Sequence, residues 1–367
     1  MTQVRDVLAV IDRAAPLALQ ESWDNCGLLV GDPAASVTRL LVALDHTEAV
    51  VKEARRLKAE LLVTHHPLFL PPLKRLCPDT HDGRIALDLA AAGVALIAAH
   101  TNYDAARDGL NDILARSLGL MDTVPLVPAA VTRATKLVVF VPPGDLDRVE
   151  RAAFDAGAGH IGQYSQCSFR VSGSGTFLGG ESTHPAVGTR GRRQQVDELR
   201  VETVVPTNRV AEVAAAVRAA HSYETPALDL YPLDVAAEGA GLGRAGKLVK
   251  AVALKTFVDR VRRALGAKTV EVVGSLKGNL ERAAVLGGAG GDYWPQALAA
   301  GAQVLVTGEM KHHERLAAVD AGMVAIVAGH YATEHPAVAG LAKLLRAALP
   351  DVKVQASAAE KNPTTWS

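Results

Sequence analysis

The chain has 367 residues, and its 39 Lys and Arg balance its 39 Asp and Glu, so the formal net charge is zero. These charges are interspersed, so no basic surface for nucleic acid or for an anionic membrane stands out, and a nucleic-acid partner is disfavoured. A chain of this length exceeds the size of one typical hydrophobic core, which predicts two or three packed units.

The cysteines and the apolar runs bear on the cellular compartment. Cys26, Cys77 and Cys167 are far apart and show no CxxC spacing, which fits a reducing compartment. Residues 1–16 carry charged side chains and lack the unbroken apolar stretch of a signal peptide. No window approaches the roughly 20 apolar residues needed to cross a bilayer. We therefore expect a cytoplasmic protein with no membrane partner.

The first half of the chain alternates short apolar runs with Ala-rich or amphipathic stretches, which predicts an α/β fold. The pattern predicts strands at Leu40–Leu44, Leu61–Thr64 and Ala95–Ala99, with helices at Glu48–Lys58 and Gly83–Ala92. Each predicted strand is continuously apolar. This is typical of strands that are buried on both faces of a largely parallel sheet.

A second copy of this pattern lies near the C-terminus. Residues 39–64 align without a gap on residues 282–307, and both segments end in Leu-Val-Thr. With one gap, the next apolar run also has a counterpart, and in both copies it leads to a histidine that is followed four residues later by a carboxylate. These residues are His100 and Asp104 in the first copy and His330 and Glu334 in the second. Chance identity among Ala, Val and Leu is the alternative, but the shared order of elements favours a duplicated half-domain.

The segment between the two copies has a different order of predicted strands and helices. Strands are predicted at Leu137–Val141 and Leu199–Val205, each followed by a helix, Gly144–Ala156 and Arg209–His221. The Gly-rich segment Ser172–Thr189 predicts a hairpin with long turns. Two βαβ-like pieces around a hairpin predict a small ferredoxin-like insert domain.

The domain boundaries follow from this change in the pattern of predicted elements. We expect residues 1–130 to form the first half of the duplicated domain, residues 131–240 the insert, and residues 241–367 the second half.

Histidines and carboxylates follow several of the predicted strands. His65 and His66 come directly after the second strand, and α/β sheets present ligand-binding groups at the carboxyl ends of their strands. For an isolated His pair, one packed ring and one solvated ring is the alternative. Asp104, His330 and Glu334 favour a metal site, because imidazole nitrogens with carboxylate oxygens suit zinc, manganese or iron. Three histidines and two carboxylates suffice for a dinuclear site with open positions for water.

Other side chains at these strand ends are candidates for supporting roles. His100, the counterpart of His330, is a candidate catalytic or substrate-binding group, and a packed core histidine is the alternative. Glu309 occupies the position after the second-copy strand and is a second catalytic candidate, with a surface helix start as the competing interpretation. Asp45 is a candidate carboxylate that orients a metal-bound histidine, and a helix N-cap is its alternative. Gly287–Asp292 lacks the pattern of a P-loop and predicts a glycine-rich turn near the site.

Four motifs together resemble those of a known family. They are Glu21–Leu28 (ESWDNCGL), Val63–Pro67 (VTHHP), His100–Asp104 (HTNYD) and Gly329–Glu334 (GHYATE). Over nearly the whole chain, the combination resembles the NIF-three-like family, whose members are often labelled GTP cyclohydrolase 1 type 2 homologues. The resemblance implies a dinuclear centre of two divalent metal ions per chain, with Glu334 as the bridging ligand, and a toroidal homohexamer whose metal sites face an inner cavity. The implied ligands are His65, His66, Asp104, His330 and Glu334.

The middle segment resembles the extra domain of the longer bacterial members, which is similar to the CutA and PII regulatory folds. The matching stretches are Gly159–Ser165, Gly175–Phe177 and His221–Pro226. The implied fold class is α/β (α+β), with two interlocked, duplicated subdomains and an inserted ferredoxin-like domain.

Two functions are compatible with this resemblance. The first is a metal-dependent hydrolase that acts on a small nucleotide-like substrate, with His100 or Glu309 assisting proton transfer. The alternative is a non-catalytic metal-binding or regulatory hexameric assembly, in which the insert senses a small-molecule ligand or docks a partner. A coordination shell completed by water favours the enzyme, and a closed shell favours storage, delivery or structure. The ligands suit zinc, iron or manganese without selecting among them.

Overall fold

The computed structural model describes residues 1–71, 73–161 and 164–365. It is a mixed α/β protein with several sheets. The chain divides into two compact units, one formed by Met1–Ala129 together with Ala237–Ser367, and the other by Ala130–Ala236. Among the described residues, every helix is too short or too polar to cross a membrane.

The helices and strands alternate along most of the chain. The helices are α1 (Val4–Ala14), α2 (Glu48–Leu57), α3 (His81–Ala91), α4 (Thr101–Ala105), α5 (Leu110–Ser117), α6 (Leu146–Asp155), α7 (Val210–Ala220), α8 (Leu254–Leu265), α9 (Trp294–Ala299), α10 (His312–Asp320), α11 (His330–Glu334) and α12 (Pro336–Ala348). The strands are β1 (Gly27–Val30), β2 (Arg39–Ala43), β3 (Leu61–Thr64), β4 (Ala95–Ala98), β5 (Leu120–Val124), β6 (Val127–Val141), β7 (Ser168–Leu178), β8 (Arg193–Pro206), β9 (Leu228–Leu242), β10 (Arg244–Ala253), β11 (Glu271–Val273), β12 (Asn279–Leu286), β13 (Val304–Thr307), β14 (Val324–Val327) and β15 (Lys353–Ala356).

The larger unit contains a first sheet with the strand order β1-β4-β3-β2-β15. Strands β2, β3 and β4 are parallel, β15 is parallel to β2, and β1 is antiparallel to β4. All four residues of β3 and all four of β4 are buried, which agrees with their continuous apolar sequence. The three strands and two helices predicted for this region are confirmed, with their ends shifted by one or two residues.

A second sheet of the same unit has the order β11-β14-β13-β12-β10-β5. Its parallel strands β12, β13 and β14 repeat the arrangement of β2, β3 and β4, and β11 pairs antiparallel with β14 as β1 does with β4. The repeat also keeps its register: Val42 pairs with Val63 in the first sheet, and Val285 pairs with Val306 in the second. Residues that match in the sequence therefore occupy equivalent positions in the two sheets.

Helix α2 illustrates how the sequence sets these elements. The side chain of Thr47 caps the helix by accepting a hydrogen bond from the Val50 N–H, and Lys58, directly after the helix, has a left-handed φ of 53°. Its apolar residues Val50, Val51 and Ala54 are buried against the first sheet's core. Burial of a side chain such as valine stabilises the fold by about 1.5–3 kcal/mol.

The smaller unit follows the element order βαββαβ, and its sheet has the strand order β7-β8-β6-β9. Strands β7 and β8 pair antiparallel, from Ser168 opposite Thr203 to Leu178 opposite Arg193. The hairpin predicted within Ser172–Thr189 is therefore wrong in its second arm, because the return strand is β8 itself and the glycine-rich residues 179–192 form the connection. Gly162 and Gln163 of the Gly159–Ser165 motif lie outside the described residues.

Candidate metal centre

His65 and His66 extend from the carboxyl end of β3. The N–H of His65 donates to the carbonyl oxygen of Ala43 at 3.1 Å, and that of His66 donates to the carbonyl oxygen of Leu44 at 3.0 Å, so the parallel pairing with β2 continues past the strand. The hydroxyl of Thr64 donates to the His66 carbonyl oxygen at 2.8 Å. The backbone of both histidines is thereby fixed.

His330 and Glu334 lie on one face of the short helix α11, which follows β14. Gly329 makes the turn into this helix with φ +92°, a conformation that side-chain-bearing residues rarely adopt. The i,i+4 spacing places His330 Nε2 2.8 Å from Glu334 Oε2. The helical arrangement expected for these two residues is confirmed.

Asp104 lies on α4, which follows β4, and faces His65. The Nε2 of His65 is 3.5 Å from Asp104 Oδ1. Both atoms are buried, and neither has a hydrogen-bond partner within the described part of the chain. The other nitrogen of His65, Nδ1, lies 2.8 Å from the Ala99 carbonyl oxygen, so the ring is oriented with Nε2 toward Asp104.

His66 connects these groups. Its Nδ1 lies 2.7 Å from Asp45 Oδ1, and its Nε2 lies 2.8 Å from Glu334 Oε2. Burial disfavours the charged imidazole, but the hydrogen bonds to Asp45 and Glu334 outweigh it and raise the pKa of His66 to about 10. One oxygen of Glu334 is thus shared by His66 and His330. The ring of His65, which faces Asp104, lies 5.3 Å from the ring of His66.

A carboxylate lies behind each of the two histidines that contact Glu334. Asp45 contacts His66, and Glu309 Oε1 lies 3.0 Å from His330 Nδ1. Such a carboxylate orients the ring and makes the opposite nitrogen a better metal ligand. The N-cap of α2 is Thr47, so the alternative role proposed for Asp45 is excluded.

The backbone of Asp45 is itself held by the C-terminal segment. The carboxylate of Glu360 accepts hydrogen bonds from the N–H groups of Leu44 and Asp45, at 2.9 Å and 2.7 Å. Sequence reasoning gave no role to Glu360, because it lies outside the aligned repeats and follows no predicted strand.

His100 lies beside His65 and His66, with ring centroids 5.2 Å and 5.4 Å away. Its Nδ1 is 2.9 Å from Asp24 Oδ1, and the hydroxyl and N–H of Thr101 donate to the other oxygen of Asp24. Burial opposes ionisation, but these hydrogen bonds hold the pKa of Asp24 well below its usual range. Sequence reasoning assigned no role to Asp24, although the Glu21–Leu28 motif contains it.

Two glycines make room for the ligands of the second copy. A Cβ on Gly288, whose φ is +63°, would lie 2.1 Å from Glu334 Oε1. A Cβ on Gly308 would lie 2.6 Å from the Gly288 carbonyl oxygen and 2.9 Å from the His330 Cα. The glycine-rich turn predicted near the site is confirmed, and its function is close packing against Glu334.

The electrostatics of His65 and Asp104 fit a bound cation. Burial lowers the pKa of His65 to about 3, so this ring is neutral and its unpartnered Nε2 can donate a lone pair. Burial and the negative charge of Glu334 raise the pKa of Asp104 well above its usual value. A divalent ion between these atoms would satisfy both of them, because it supplies the positive charge and the coordination that the protein itself does not provide.

The comparisons with known proteins agree with these motifs. A family model described as Duf34/NIF3 (NGG1p interacting factor 3) matches residues 2–363. A protein of Halalkalibacterium halodurans named GTP cyclohydrolase 1 type 2 homolog is 40% identical over 363 residues, which is 98% of this chain and 98% of that protein. A Mycobacterium tuberculosis protein of the same name is 40% identical over 348 residues, which is 94% of this chain and 91% of its own length.

A solved structure extends the agreement to the fold. A Bacillus cereus protein related to NIF3 superposes with a TM-score of 0.76 at 36% identity, covering 100% of this chain and 99% of the other. With the match of the family model over nearly the whole chain, this establishes that the protein belongs to the Duf34/NIF3 family.

Proposed function

We propose that the protein binds two divalent first-row metal ions through His65, His66, Asp104, His330 and Glu334, and that it is a metal-dependent hydrolase of a small nucleotide-like substrate. The observation that carries the proposal is the pair of buried, unpartnered atoms His65 Nε2 and Asp104 Oδ1, which lie 3.5 Å apart. Leaving two polar atoms buried without partners is costly, and both an imidazole nitrogen and a carboxylate oxygen coordinate metal ions well.

Glu334 is the ligand that we propose to be shared by the two ions. Its Oε2 already faces both His66 and His330, and its Oε1 lies on the side of Gly288. The family resemblance implies the same bridging role for Glu334. His65, His66, Asp104 and His330 would supply the remaining protein ligands.

Two ions held by these residues would supply Lewis-acid polarisation of the substrate and would lower the pKa of bound water. Among the protein's own groups, His100 is the better candidate for proton transfer. Its Nδ1 is held by Asp24, which leaves Nε2 as the atom that exchanges a proton. Glu309 contacts His330 Nδ1, so we propose that it positions this ligand instead of acting as a base.

The names of the relatives suggest the class of substrate to test. Curated relatives carry the name GTP cyclohydrolase 1 type 2 homolog, so GTP is the first substrate to offer. The experiment incubates metal-reconstituted protein with GTP and other nucleotides and separates the products by chromatography with mass detection. Turnover that is lost in His65→Ala and reduced about 10²–10⁴-fold in His100→Ala supports the hydrolase, because a positioned acid or base contributes this range.

Metal binding without turnover of any nucleotide, together with a coordination shell that holds no water, would favour a non-catalytic metal-binding or regulatory assembly.

The family resemblance also leads us to propose a toroidal homohexamer. Sedimentation equilibrium tests this directly, because the hexamer has six times the 38.4 kDa mass of the chain.

We further infer a duplicated domain whose halves interlock. The equal register of the two sheets supports the duplication. Strand exchange supports the interlocking: β5 of the first half pairs with β10 in the second sheet, and β15 of the second half pairs with β2 in the first. The βαββαβ order of the smaller unit supports a ferredoxin-like insert, and its likeness to CutA and PII folds stays a prediction.

A further inference from the structure

A second group of metal-binding side chains lies outside the centre described above. His46, His81 and Asp82 each offer one ligand atom, and these three atoms lie within 4.8 Å of one another. His46 follows β2, and the other two residues form the first turn of α3. None of the three belongs to the proposed dinuclear centre.

From this geometry we propose that His46, His81 and Asp82 form a separate site for one divalent first-row metal ion. Two imidazoles and one carboxylate are a ligand set that zinc and iron sites use with further positions open to water. The site does not depend on the proposed hydrolase function, because it shares no residue with that centre.

The three side chains are free to coordinate an ion. The Nδ1 of His46 is buried and has no hydrogen-bond partner among the described residues. Within the same part of the chain, no hydrogen bond or ion pair engages the side chains of His81 or Asp82. The N-cap of α3 is the hydroxyl of Thr80, which accepts from the Gly83 N–H, so Asp82 is not needed to cap the helix.

The spacing of the rings is also compatible with coordination. The centroids of His46 and His81 are 6.2 Å apart, compared with 5.6 Å for His66 and His330 in the main centre. Ligand nitrogens of a bound zinc ion stand about 2.0–2.1 Å from it. In a tetrahedral site such atoms stand about 3.3 Å apart. Atoms that lie within 4.8 Å of one another must therefore approach by up to about 1.5 Å, and the exposed ring of His81 can make that adjustment.

Local order favours a defined site over a chance surface cluster. His46 is half-buried, and the preceding residue, Asp45, is fixed by Glu360 and His66. Asp82 is half-buried at the start of a helix whose N-cap is satisfied. Two of the three ligands are thus positioned before an ion arrives, which lowers the entropic cost of binding.

The test counts and titrates metal in the full-length protein. Protein stripped with a chelator is titrated with Zn²⁺, and bound zinc is measured after desalting, for the parent, for His81→Ala and for His46→Ala. The matched control is His313→Ala, which removes another exposed histidine from the first turn of a helix. Circular dichroism checks that each variant is folded.

We expect both His81→Ala and His46→Ala to bind one zinc ion fewer than the parent, or to bind it at least about 10-fold more weakly, a loss that removal of even a supporting group can cause. His313→Ala should match the parent. Unchanged stoichiometry and affinity in His81→Ala would overturn the proposal, as would an equal loss in His313→Ala. If the main centre binds no metal, the parent should still bind one ion that His81→Ala lacks, so the two proposals fail separately.

Discussion

The Nε2 of His65 and the Oδ1 of Asp104 lie 3.5 Å apart, both buried and both without a hydrogen-bond partner in the described residues. An ionised carboxylate in this position is unfavourable in the metal-free protein, because burial disfavours the charge and Glu334 adds a second negative charge. The same carboxylate is favourable once a cation is bound. Removing the charge of Asp104 should therefore leave the folding stability unchanged or raise it without metal, and should reduce the stabilisation that metal gives.

Asp104→Asn tests both effects. Without metal, we expect the variant to be at least as stable as the parent, because it buries no charge. With metal at 100 times its dissociation constant, the free energy of unfolding of the parent should rise by about 2.7 kcal/mol per ion. That of the variant should rise by less. Thermal or urea unfolding with chelator and with Zn²⁺ measures both cases. A variant that is less stable than the parent by the same amount in both conditions would show that Asp104 has only a structural role.

The carboxylates behind the two proposed metal-binding histidines give a second prediction. Asp45→Asn and Glu309→Gln should each weaken metal binding by about 10–100-fold, because the histidine loses the partner that orients it. Glu281→Gln, which neutralises an exposed carboxylate on β12, is the control and should leave the affinity unchanged. Competition with a chromogenic chelator measures the affinity. Wild-type affinity in both variants would contradict the proposed positioning role.

Gly288 gives a prediction that separates backbone strain from a clash with a ligand. Gly288→Ala places a Cβ 2.1 Å from Glu334 Oε1, whereas Gly266, with nearly the same φ of +62°, has no atom within 4 Å of the added Cβ. Both substitutions should cost about 1–2 kcal/mol of stability through left-handed strain. Only Gly288→Ala should also lose metal, as measured by elemental analysis. Equal metal contents would mean that Glu334 is not a ligand or that it can move freely.

The C-terminal segment gives a prediction about pH. The buried carboxylate of Glu53 accepts hydrogen bonds from the Ser357 hydroxyl and from the N–H groups of Ala358 and Ala359. Burial opposes ionisation, but these bonds outweigh it and hold the pKa of Glu53 below its usual 4.5. Its stabilising contribution is therefore complete above pH 4.5 and is lost as the pH falls through the lower, folded-state pKa.

Glu53→Gln should accordingly lower the free energy of unfolding by about 1.5–3 kcal/mol at pH 7, the range for hydrogen bonds to a charged group, and by less in strong acid. Glu48→Gln on the same helix removes exposed ion pairs with Lys52 and Arg84 and should change stability by less than about 1 kcal/mol. Urea unfolding at several pH values provides the comparison. A loss of stability that does not depend on pH would argue against an ionised Glu53 as the acceptor.

The sequence predicted those parts of the site that depend on local patterns. His65 and His66 follow an apolar strand, and His330 and Glu334 have helical spacing, so their positions could be inferred from periodicity and from the internal repeat. The same repeat supplied Asp104, which is the counterpart of Glu334 in the first copy. Each of these residues lies at the end of a parallel strand or in the helix that follows it, where the fold itself determines which side chains meet.

Contacts made by loops and by the chain end were not predictable in this way. Asp24 and Glu360 reach the site from segments without periodicity, and their partners are set by tertiary packing alone. The role of Gly288 depends on the position of Glu334, which lies 46 residues further along the chain. The hairpin of the smaller unit was misplaced because its glycines mark a turn without specifying which residues pair across it.

Metal content per chain tests the central claim most directly. The purified full-length protein is reconstituted with zinc, iron or manganese and desalted, and each metal is measured by elemental analysis beside His65→Ala and Glu334→Ala. The proposed dinuclear centre predicts about two ions that are held in the parent and lost in both variants, in addition to any ion at His46, His81 and Asp82. A parent with no more metal than the two variants would contradict it.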